Sequence, residues 1–111
     1  MIIVQRAITA DNSDHLAGTD LANIPSDGQL DVYIASTQND TTITITGPGQ
    51  EPIVRASAVL LRTNGMPLLK DDYPISIPVF QGAHYVVNID IVTAATVGVI
   101  YIYRSLDELS E

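Results

Sequence analysis

The 111-residue sequence predicts an all-β fold, an antiparallel β-sandwich or jelly-roll-like barrel of about seven to eight short strands. Three observations predict it. Apolar residues recur at every second position through most of the chain, turn-forming residues interrupt them about every eight to twelve positions, and no stretch sustains the spacing of a long helix. The period of two is clearest from Tyr85 to Tyr103. Val87, Ile89 and Ile91 share one face of a first strand there, with Asn88 and Asp90 on the other. After Thr93-Ala94-Ala95-Thr96, a second strand has Val97, Val99, Tyr101 and Tyr103 on one face and Ile100 and Ile102 on the other. With no charged group on either side, such a strand is central in a two-layer fold or covered by another molecule.

Composition narrows the class. A chain of this length forms one domain, 1–111, and its 46% hydrophobic and 16% charged residues are those of a globular protein. Thirteen acidic groups against five basic ones give a net charge of −8, which repels a nucleic-acid backbone or an anionic membrane. The absence of cysteine removes disulfide staples and thiolate metal sites. The start Met-Ile-Ile-Val-Gln-Arg lacks a secretion-signal pattern and no run is long enough to span a bilayer, so synthesis in the cytosol is expected.

In chain order, residues 1–10 carry Ile2, Ile3, Val4 and Ile8 and read as a first strand at a sheet edge, or an arm reaching to a neighbour. Residues 11–28, rich in Asp, Asn, Ser and Gly, read as a long polar surface loop with Leu21 and Ile24 as anchors. The β body follows over 29–104. Leu30, Val32 and Ile34 alternate with Asp31 and Tyr33; Gln38-Asn39-Asp40 turns; and Ile43 and Ile45 alternate with threonines, making the clearest candidate hairpin. Gly47-Pro48-Gly49 stops it. Ile53 to Arg62 reads as one strand with Ile53, Arg55, Ser57, Val59 and Leu61 on a face, although a short helix would also suit its alanines and leucines. Asn64-Gly65 reverses the chain. Leu68 to Asp72 ends in two acids, and Pro74 and Pro78 confine Tyr73 to Phe80 to a sheet edge or an extended arm. Residues 105–111 form an acidic tail with room for one helical turn.

The residues announce no reaction chemistry. His15 and His84 sit far apart beside turn residues, without the spacing of a metal or acid–base pair, and read as surface or turn residues. Asp11-Asn12-Ser13-Asp14 offers oxygen ligands but lacks the closing Glu of a calcium loop. Asp71 and Asp72, as strand neighbours, would point to opposite faces and suit an ion pair with Arg55 or Arg62 better than proton sharing. No nucleophile elbow or phosphate-binding glycine pattern occurs. The Asn39-Asp40-Thr41 sequon is accidental without secretion. No enzyme, cofactor or metal is expected. A sugar platform would have to use tyrosines, since the chain has no Trp.

Asp40-Thr41-Thr42-Ile43-Thr44-Ile45-Thr46-Gly47-Pro48, Glu51-Pro52-Ile53-Val54-Arg55, Asp71-Asp72-Tyr73-Pro74 and Gly82-Ala83-His84-Tyr85 together give residues 28–104 the style of a known group. The chain resembles the small all-β virion proteins of tailed bacteriophages, the decoration, cement or minor capsid proteins. The resemblance implies a structural protein on the capsid surface of a virion, bound to the major capsid protein at capsomer junctions as a dimer or trimer, with no catalytic residues. The residues read as its interface are Ile2, Ile3, Val4, Ile100, Tyr101, Ile102 and Tyr103. The shell grip would come from residues 1–10 or 11–28. The alternative is a carbohydrate-binding or adhesion module of a phage tail or fibre, which requires exposed tyrosines on a concave face.

Overall fold

A computed structural model describes residues 1–10, 15–38, 41–48, 52–56, 60–61, 65–67 and 74–109. Its strands are β1 (Ile2–Ile8), β2 (Gly28–Ser36), β3 (Thr42–Thr46), β4 (Pro52–Ala56), β5 (Leu60–Leu61), β6 (Ile75–Val79), β7 (Val86–Asp90) and β8 (Val97–Ser105), followed by one helical turn, α1 (Leu106–Leu109). They form two sheets. In the larger, β8 lies between β1 and β2, and the far edge of β2 is shared by β6 and β5; the smaller runs β4-β3-β7. Pairing is antiparallel throughout the described residues except where β5 runs parallel to the end of β2. The all-β, sandwich-like fold read from the sequence is the one observed.

The register explains the core. Tyr103, Tyr101, Val99 and Val97 of β8 stand opposite Leu30, Val32, Ile34 and Ser36 of β2 and opposite Ile2, Val4, Arg6 and Ile8 of β1. One face of the large sheet is therefore almost wholly apolar. It meets Ile43, Ile45, Val87 and Ile89 from the small sheet in a single cluster. The alternation of threonine and isoleucine in β3 puts Ile43 and Ile45 inside and leaves the threonines half-buried, as a strand with one wet face requires.

Several local readings change. The hairpin expected over 30–46 does not form, nor do the two strands read in 85–103 pair with each other: β2 and β8 belong to the large sheet, while β3 and β7 belong to the small one. Both connections instead cross between layers. They run side by side, tied by Thr37 N to Thr96 O at 3.1 Å and Thr96 N to Thr37 Oγ1 at 3.0 Å. At the same corner Ser36 Oγ and Thr41 Oγ1, both buried, are 2.9 Å apart. The single strand expected over 53–62 is divided between layers as β4 and β5. Pro74 and Pro78 do flank and occupy an edge, since β6 pairs only with β2 among the described residues. Pro78 can stand opposite Gln29 because an edge strand needs donors on one side only.

The segment from His15 to Asp27 is a strap rather than a surface loop. His15, Leu16, Leu21 and Ile24 are buried, so the two anticipated anchors have two companions. Left-handed Gly18 (φ 77°) and the bond from Thr19 Oγ1 to Leu16 O, 2.7 Å, shape its first turn. His15 N donates to Val87 O at 2.9 Å in the small sheet, and Tyr103 of the large sheet donates its hydroxyl to Ser26 O at 2.7 Å. The strap thus joins both layers along one side of the sandwich.

Candidate interaction surface

The buried polar groups are structural in geometry. His15 is fully buried, contrary to the surface role read from its polar neighbours: its Nδ1 lies 2.6 Å from the Tyr101 hydroxyl and its Nε2 makes no hydrogen bond. A neutral ring accepting the hydroxyl proton at Nδ1 leaves one group unpaired, whereas the opposite tautomer leaves two, so the first is assigned. Burial, reinforced by the Arg6 charge, lowers the His15 pKa to about 4, and burial pushes that of Tyr101 up. Arg6 donates from Nη1 to His15 O at 2.6 Å. His84, half-buried, bonds through Nδ1 to Ala22 O. The two histidines therefore hold two points of the strap and form no common site.

On the outer face of the large sheet, Asp31 is the hub of a second cluster. Its Oδ1 accepts from Gln29 Nε2 at 2.8 Å and Ser76 Oγ at 2.6 Å, and its Oδ2 accepts from Arg104 Nη1 at 2.8 Å. A carboxylate with three donors is well satisfied and binds β2, β6 and β8 across the sheet. Among the described residues no group of three or more His, Asp or Glu converges as a metal-binding set. Asp11 to Asp14, Asp71 with Asp72, Asn39 with Asp40 of the sequon, Leu68 to Tyr73, Arg62 and Asn64 lie outside the described residues, as do Ser57 and Val59.

The seven residues read as an interface separate into three groups. Tyr101 and Tyr103 fill the core, and their hydroxyls engage His15 and Ser26, so they leave the surface set. Ile100 and Ile102 point to the outer face yet are nearly covered, flanked by Gln5 and Tyr33 and by Ile3 and Asp31. Being central resolves the two-faced pattern of β8 within the chain itself. Ile2 and Val4 turn inward against the core, and Ile3 turns outward, 56% exposed.

Sequence reasoning missed Phe80, Leu106 and Leu109. Phe80 and Leu106 are each 58% exposed, and Met1 and Leu109 are exposed too. Because the start of β1, the end of β8, the start of β2 and the end of β6 coincide in register, all five of these apolar side chains, Ile3 included, lie toward one end of the large sheet. Leu106 separates two shallow grooves there, of about 270 Å³ beside Pro78 and Leu109 and about 240 Å³ beside Asp27 and Gln81. Asp27 joins the parts, accepting Leu106 N at its carbonyl (3.1 Å) and Gln81 N at Oδ1 (2.8 Å). Asp107 and Glu108 add an acidic rim, and the N-terminal ammonium, 2.8 Å from Glu108 Oε2, holds that carboxyl below its usual range. The missed signal was the mixture of Leu with acids in 106–109, which read only as an acidic tail.

No protein-family model matches the chain, and no curated protein matches it significantly.

Proposed function

We propose that this chain is a structural, non-catalytic virion protein that binds the outside of a phage capsid shell and stabilises it as a decoration or cement protein. The phage assignment rests on the resemblance of residues 28–104 to such proteins. The observation that carries the binding reading is the grouping of Met1, Ile3, Phe80, Leu106 and Leu109 at one end of the large sheet. These five are drawn from six large apolar residues exposed among the described ones, Val92 being the sixth, so the exposure is concentrated and not scattered. An apolar centre with an acidic rim suits a protein surface that is apolar and locally basic. A ligand that binds only the assembled shell shifts the assembly equilibrium toward it, and symmetry repeats the gain at every site. The carbohydrate alternative needs exposed tyrosines, and Tyr85, Tyr101 and Tyr103 are buried in this chain's own core.

Co-sedimentation with expanded shells, assembled from a major capsid protein encoded in the same genome, tests the proposal. Binding that saturates at a fixed number of copies per capsomer, and that raises the shell's unfolding temperature, is the expected result. A genomic neighbourhood without capsid genes, or shells that pellet without the chain, overturns it.

A further inference from the structure

We propose that the edge of β1 that pairs with no strand among the described residues pairs with β1 of a second copy about a two-fold axis, with Gln5 facing Gln5 of the second copy, joining two large sheets into one. This deepens the structural reading above, on which it rests only for its role in assembly.

β1 is a seven-residue edge strand whose described pairing is to β8 alone. Three devices that protect edges are missing from it: it contains no Pro or Lys, and its register with β8 runs without a bulge. Its one charged side chain, Arg6, stands on the inward set opposite Val99, a placement that can guard an edge, but its Nη1 is already engaged with His15 O inside the same chain. The occupant follows from charge and register. All 13 acidic residues of the chain lie beyond Ala10, so β1 brings no carboxylate of its own to the contact, and two molecules of net charge −8 can pair there without acid facing acid across the strands. The strand is also centred on Gln5, so an antiparallel pair about that residue matches all seven positions. Ile2 then meets Ile8, Ile3 meets Ala7 and Val4 meets the Arg6 stem, and no two arginines oppose each other. Shifting the axis by half a residue, between Gln5 and Arg6, would set inward residues against outward ones, Gln5 against Arg6 first of all.

The natural absence of cysteine makes the register directly readable. Gln5 is exposed, so Gln5→Cys is compatible with the fold, and a short bismaleimide should convert most of that variant to covalent dimer. Ile3→Cys alone should stay monomeric on gels, whereas Ile3→Cys mixed with Ala7→Cys should give a heterodimer, and the exposed control Val92→Cys should give none. Sedimentation equilibrium of the unaltered chain should report a dimer at high micromolar concentration. A strict monomer there, crosslinking of Gln5→Cys no better than of Val92→Cys, or strong self-crosslinking of Ile3→Cys overturns the pairing. A monomer that still binds capsid shells would end this inference and leave the shell-binding proposal standing.

Discussion

His15 is held on three sides: its amide donates to Val87 O, its carbonyl accepts Arg6, and its ring meets the Tyr101 hydroxyl. A second ring proton would put an imidazolium in a buried site and turn the Tyr101 hydroxyl proton away from Nδ1, and the nearby guanidinium opposes the added charge. The consequence is a definite pH dependence. An unfolded chain binds the proton near pH 6.5, while the folded chain resists it until about pH 4. Between those values the unfolded state carries more protons, so this contribution to stability is complete above pH 6.5 and is lost as pH falls toward 4. Urea unfolding should show a loss of about 2 kcal/mol between about pH 7 and about pH 5, a range in which most carboxylates stay ionised. A His15→Phe variant should lose most of that slope, and an unchanged slope would place its origin elsewhere. Nothing in the sequence separated His15 from His84, because burial of the former depends on a strap and a β8 tyrosine 86 positions away.

Within the elements, close backbone approach and polar satisfaction matter more than propensity. Gly98 of β8 donates its amide to Gly65 O at 2.7 Å, and a Cβ there would lie 2.5 Å from both Gly65 O and Met66 Sδ. Gly98→Ala must push the Gly65–Met66 crossing off the sheet, and thermal unfolding should register a cost of about 1–3 kcal/mol. The Asp31 cluster makes a different prediction. Asp31→Asn keeps the size but removes the charge that Arg104 faces, and a loss of about 1–2 kcal/mol is expected for a carboxylate this buried with a partner partly in water. Added salt should shrink the difference between the two proteins, and no difference at low salt would mark the pair as energetically idle. The inward sets of β2, β3 and β7 were legible in the chain, as were the edge position of β6 and the helical turn after β8, because each depends on neighbours in sequence; which face of β8 turns inward was not. The Asp31 hub was not legible: alternation puts Asp31 on a wet face, and only the pairing of β2 with β6 and β8 brings Ser76 and Arg104 to it.

For the whole molecule, stability and partner binding should be separable. Phe80 and Leu106 are mostly in water, so a Phe80→Ser, Leu106→Ser double variant should change unfolding free energy little, within about 1 kcal/mol. The same variant should lose co-sedimentation with shells. Retained binding would move the shell contact away from the apolar end. Core variants should behave the opposite way. Ile45→Ala, at a fully buried position between the layers, should cost about 2–5 kcal/mol and leave the surface chemistry unaltered in whatever fraction stays folded.

The sequence by itself determined that this is a β protein and which side chains face inward along most strands. That information is local, since a pleat sends successive residues to opposite sides whatever the strand pairs with. Only the tertiary structure decided which strand lies beside which. Ladder hydrogen bonds join backbones that are far apart in sequence, and a tight turn between two alternating segments can either fold them into a hairpin or pass the chain to the other layer. Here the chain passes across between β2 and β3 and again between β7 and β8, which places Tyr101 and Tyr103 inside the sandwich and leaves the Phe80–Leu106 end exposed and β1 at the edge of the described large sheet.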